Sequence, residues 1–100
     1  MNVAKLIDEE NKIKSESNAD IIYAYVPLKR NKKQTWCAIV FPKDKDLIMI
    51  GKATQSRKDA FCRKIGRAIS LGRALQATLV HSYRTIQNAN IPPKIKRSIL

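Results

Sequence analysis

A chain of 100 residues with 44% hydrophobic side chains suits one small globular domain and excludes both a second core and global disorder. Twenty Lys and Arg against eight Asp and Glu give a formal charge of +12. Two cysteines far apart and a single histidine leave no ordinary ligand set for a one-chain zinc site, and no apolar run approaches membrane-spanning length.

The charge is unevenly spread. Five of the eight acids (Asp8, Glu9, Glu10, Glu16 and Asp20) fall in the first twenty residues, beside Lys5, Lys12 and Lys14. The other eighty residues hold seventeen basic and three acidic side chains. Such a field repels itself, so a polyanionic partner is its leading explanation and a charge-rich soluble surface the plainer one.

Residues 2–14 carry Val3, Leu6, Ile7 and Ile13 at helical spacing with acids between them, which predicts a short amphipathic helix. Ser15 to Asp20 reads as a loop. Three strands follow: Asp20–Leu28, ending at Pro27; Thr35–Phe41, ending at Pro42; and Leu47–Ala53, after the turn Pro42 to Asp46. Short connections make them an antiparallel meander.

A long helix is expected from Ser56, a suitable N-cap with Asp59 three residues on, through Leu79 to Tyr83 or beyond. It must stop before Pro92-Pro93, near Asn88-Ala89-Asn90. At 100° per residue, Phe61, Ile65, Ala68, Ile69, Gly72, Leu75 and Leu79 share one sector, the face expected to bury against the sheet. Arg63, Arg67 and Arg73 project from the other side, with Lys64 at the border. Gly72 would let helix and sheet approach closely. Gly66, among the cations, is either incidental or a bare patch for a phosphate or ribose.

The order is α-β-β-β-α: an α+β fold with a short N-terminal helix and a three-stranded antiparallel sheet packed on a long C-terminal helix. Residues 1–91 form the single domain, and 92–100 a basic tail, either a short helical turn or mobile.

Three basic clusters are candidate binding groups. The loop between the first two strands holds Lys29, Arg30, Lys32 and Lys33, a cationic hairpin able to grip a nucleic-acid backbone. The long helix holds Arg57 and Lys58 at its start and Arg63, Lys64, Arg67 and Arg73 beyond. Guanidinium forks on a helix suit phosphate in defined geometry, while loop lysines suit diffuse attraction. The tail adds Lys94, Lys96 and Arg97. Tyr23 and Tyr25 share one strand face, either as a base-stacking platform or as core. Cys37 and Cys62 read as buried free thiols in a reducing, intracellular setting. His81 is expected on the helix face opposite the core, Asp44 and Asp46 sit at a solvated turn, and Gly51-Lys52-Ala53-Thr54 lacks the glycine pattern of a phosphate loop. No catalytic group, metal or cofactor is expected.

The run Gly51-Lys52-Ala53-Thr54-Gln55-Ser56-Arg57-Lys58-Asp59-Ala60, with the element order, resembles the double-stranded RNA-binding domain. In that family the basic residues opening the last helix clamp phosphates across the major groove, which the resemblance assigns to Arg57 and Lys58. Phe61 stands where the family has a further lysine, and loop 29–33 is purely cationic where the family has Gly-Pro-x-His. The stretch Ser56 to Leu75 is also similar to small uncharacterised proteins of bacteriophages and mobile elements.

These features lead to the expectation of a non-enzymatic nucleic-acid-binding protein that contacts phosphates, with RNA favoured over DNA by the resemblance alone. The alternative is a viral accessory protein that inhibits a host defence protein or sequesters a nucleotide signal. No membrane partner is expected, and outer strands and the long helix offer surfaces for a homodimer.

Overall fold

A computed structural model describes residues 3–43, 47–55, 62–76, 79–82 and 84–99. A turn of 3-10 helix, Val3–Lys5, leads into helix α1, Leu6–Ser17, which buries Leu6 and Ile13. Asn18 ends it in the left-handed conformation, φ 50°, a backbone region that asparagine tolerates better than most residues. Strands β1 (Asp20–Pro27), β2 (Lys33–Val40) and β3 (Ile48–Thr54) follow, pairing antiparallel as expected.

From Cys62 onward the chain departs from expectation. Cys62 is extended backbone, φ −129° and ψ 116°, so helix α2 begins at Arg63 and ends at Leu75. It is not an unbroken rod from Ser56 to Tyr83. Ser56 and Asp59, the expected cap, lie outside the described residues, as do Asp44, Asp46, Phe61 and Tyr83. The N–H of Gln76 donates to the carbonyls of Gly72 and Arg73, closing the last turn. Leu79–His81 then forms a fourth strand, β4, antiparallel to β3 in the register Ile48↔His81, Met49↔Val80 and Ile50↔Leu79. Leu79 fits a helical repeat and a strand equally well. What decides is the edge of β3, whose N–H and C=O groups need partners. The sheet therefore has four strands in the order β1-β2-β3-β4.

The C-terminal segment is also structured. A 3-10 turn, Ile86–Asn88, precedes a short helix, α3, Pro93–Ile99. Pro93 takes the first helical position, where its missing N–H costs nothing. The prolines that stop one helix in the sequence reading start another. The N–H groups of Ile95 and Lys96 donate to the Pro92 carbonyl.

Both faces of the sheet are covered, giving three layers. On one face Cys37 and Ile39 of β2 pack with Leu6 and Ile13 of α1 and with Ala68, Leu71 and Ala74 of α2. On the other, Ala24, Trp36, Ala38, Val40, Ile48 and Ile50 pack with Ile86, Ile91 and Ile95. Thr35 to Val40 is consequently buried at every position, as befits a strand covered on two sides. Among the described residues no helix is long and apolar enough to cross a membrane.

Helix α2 lies on the sheet the opposite way round from its apolar pattern. Ala68, Ser70, Leu71 and Ala74 are buried, while Ile65, Ile69 and Leu75 are exposed. A side chain at Gly51 would collide with the Ser70 carbonyl and the Ala74 amide, and one at Gly66 would collide with Thr35. The close approach thus occurs at Gly51 and Gly66, and Gly66 is no bare patch for a ligand. Small residues at 66, 70 and 74, one turn apart, fit the flat strip around Gly51, where isoleucines would hold the backbones apart.

Candidate functional site

The rotation of α2 sets its arginines. Arg63 and Arg67, expected to face away from the sheet, lie over the tyrosines of β1. The Arg63 guanidinium sits 5.0 Å from the centre of the Tyr25 ring, and that of Arg67 sits 5.3 Å from Tyr23 and 5.9 Å from Tyr25. Arg67 Nε donates a hydrogen bond to Tyr25 Oη at 2.6 Å. That bond stabilises the guanidinium further, raising its pKa. Each cation–π contact contributes about 0.5–1 kcal/mol where exposed, and together they hold two long side chains in one geometry.

The tyrosines are therefore supports for arginine, not an open platform for bases. The sequence signal is a coincidence of periods. Tyr23 and Tyr25 repeat at two residues on one strand face, and Arg63 and Arg67 at four on one helix face. It becomes legible only once helix and strand are known to meet.

Register brings the hairpin to the same place. Gly66 meets Thr35, Thr35 pairs with Tyr25, and two residues further Pro27 pairs with Lys33. Two residues of strand span about 7 Å, so the first turn of α2 lies beside the end of β1 that carries the hairpin. The Leu28 N–H donates to the Lys32 carbonyl at 2.7 Å, closing a loop in which Arg30 is left-handed, φ 64°. Lys29, Arg30 and Lys33 are exposed and Lys32 half-buried. Gln55, at the end of β3, staples the loop base: its N–H donates to the Lys33 carbonyl, and its Oε1 accepts from the Lys33 N–H, both at 3.0 Å. Lys64, in the first turn of α2, is exposed.

Of the ten cations in the hairpin and the expected long helix, seven thus lie toward one end of the sheet: Lys29, Arg30, Lys32, Lys33, Arg63, Lys64 and Arg67. Arg73 stands apart along α2, its Nη1 donating to the Lys52 carbonyl at 2.6 Å. Arg57 and Lys58 lie outside the described residues.

Beneath the arginines is a buried polar spot that the sequence reading missed. The phenol oxygen of Tyr23 is buried and finds no hydrogen-bond partner among the described residues. Burial raises the pKa of Tyr23, with further contributions from Cys37 and Glu10. Burial likewise pushes the Cys37 thiol up to about 12, with Glu10 adding to it. Glu10, half-buried on α1, is the acidic neighbour of this spot. Cys62, expected to be buried, is exposed, and both thiols are free.

The sign of these shifts predicts alkaline destabilisation. In the unfolded chain the thiol and the phenol ionise near 9.0 and 10.0, whereas the folded chain keeps both protons to higher pH. Their contribution is complete below pH 9 and is lost as pH climbs from there toward the folded values. The urea midpoint should fall above about pH 9, and Cys37→Ala should flatten that fall. A pH-independent midpoint in wild type would contradict it. Comparison with protein-family models, with curated proteins and with solved structures returned no match.

Proposed function

We propose that this chain is a non-enzymatic nucleic-acid-binding protein that grips the phosphate backbone with the end of its sheet. The observation that carries the reading is the convergence of the hairpin cations with Arg63 and Arg67, which are already held in place by Tyr23 and Tyr25. Arginines ordered before binding lose less entropy on meeting phosphate. The hairpin adds charge on an exposed loop that can follow a groove or backbone. RNA is favoured over DNA on the resemblance of residues 51–60 to the double-stranded RNA-binding domain.

Salt dependence tests the proposal. With about six phosphates neutralised, affinity for a duplex should fall roughly a thousandfold between about 50 and 200 mM salt. Fluorescence titrations with RNA and DNA duplexes of the same sequence would measure both the slope and the preference. Weak binding at low salt, or a flat salt response, would remove nucleic acid as the partner.

A further inference from the structure

The cations of the hairpin end and of α2 lie toward one side of the sheet, yet the opposite layer is basic too. Lys52 shares a sheet face with Ile48 and Ile50, and its Nζ sits 5.2 Å from the centre of the Trp36 ring. Helix α3 covers that same face through Ile95, which is fully buried. With Ile95 turned inward, a rotation of about 100° per residue sends Arg97 outward and puts Lys94 and Lys96 on its two flanks. Lys94 and Arg97 are exposed, while Lys96 is half-buried and its Nζ donates to the Gln87 carbonyl at 2.9 Å. The sequence has no Asp or Glu after Asp59. Among the described residues, the acid that strand alternation places on this face is Asp20, at the first position of β1.

The C-terminal cations thus stand on a seated helix rather than on a loose end. Helices on opposite faces of one sheet have axes about 20 Å apart. A straight duplex held by the hairpin, Arg63 and Arg67 therefore leaves Arg97 pointing away from it. We propose that the α3 face takes a second nucleic-acid segment, so that one chain bridges two. The inference rests on the reading of the hairpin end as a phosphate grip. Charge complementarity selects the occupant, since a cationic face with so little acid beside it is stabilised by a row of phosphates. Among its described residues α3 exposes no large hydrophobic side chain, whereas the centre of a protein interface is apolar. The second contact is the weaker one, because lysines lack the forked geometry of Arg63 and Arg67.

A bridging assay with the full chain tests it. One short duplex is fixed to beads, and a second, fluorescent duplex is supplied in solution with the protein at low salt. Wild type should retain the fluorescent duplex on the beads. Retention should peak at intermediate protein concentration, because excess protein covers the two duplexes separately. Combining Lys94→Gln with Arg97→Gln should lower retention about tenfold or more, as expected for two lost phosphate contacts. Affinity for a single duplex, read by titration, should stay near wild type. Both side chains are exposed and glutamine is a good helix former, so the melting profile should match wild type, and Arg97→Gln alone serves if it does not. A chain that binds one duplex but never retains a second overturns the proposal and leaves the hairpin grip standing. Retention untouched by the α3 variants overturns it too, since the second contact would then lie elsewhere. Absence of any duplex binding overturns both readings.

Discussion

Replacing Gly51 with alanine is expected to cost about 3 kcal/mol or more, enough to unfold much of a small domain of ordinary stability. The added methyl would meet the Ser70 carbonyl and the Ala74 amide, with the Arg73 carbonyl carbon 2.9 Å away. All three are backbone atoms of α2 and cannot swing aside as a side chain would. Relief requires lifting the helix from the sheet, which opens the packing of Ala68, Leu71 and Ala74 on Cys37 and Ile39. Gly66→Ala is the informative contrast. Its methyl meets Oγ1 and Cβ of the buried, β-branched Thr35, which can relieve only part of the clash by turning about χ1, while alanine gains about 1 kcal/mol in helix propensity over glycine. Chemical denaturation should therefore place Gly66→Ala below wild type and Gly51→Ala lower still. Equal stabilities would mean that the helix is not seated on Gly51.

The second large effect concerns affinity. In a variant combining Lys29→Gln, Arg30→Asn and Lys32→Gln, the slope of log affinity against log salt should become shallower by about 2–3. Asparagine is chosen at position 30 because that residue is left-handed and asparagine tolerates the conformation. The fold should survive, since the loop is closed by the backbone bond from the Leu28 N–H to the Lys32 carbonyl. Arg67→Lys probes the other half of the site. Charge is kept, but the hydrogen bond to Tyr25 is lost, along with the forked geometry for phosphate. Affinity should drop roughly tenfold with little change in salt slope. If the loop variant kept the wild-type slope, the hairpin would be removed from the interface.

The first half of the chain was legible in its sequence for physical reasons. The apolar run Ile21 to Val26, prolines at 27 and 42, and short loops leave few options but an antiparallel meander. The observed β1, β2 and β3 lie within two residues of the expected strands. The cationic loop was likewise legible, as was the abundance of arginine on the helix that follows. The direction those arginines take was not. Periodicity reports that a helix has two faces, and the bulkier apolar face was expected to be the buried one. Here the strip of Gly66, Ser70 and Ala74 wins, because shape against Gly51 outweighs the area of two isoleucines.

Composition and periodicity by themselves determined an α+β domain, its three paired strands, its excess of positive charge and the hairpin that carries much of it. These are local quantities, set by turn chemistry and by the repeat of apolar residues within one element. Tertiary structure alone decided that Leu79–His81 joins the sheet, that Ile95 seals its second face, and that α2 turns Arg63 and Arg67 onto two tyrosines. Each depends on what a distant segment offers: a free strand edge at β3, an uncovered row of isoleucines, a glycine on the opposing strand. Such fits are made between elements well separated in sequence, and no short window along the chain contains both halves.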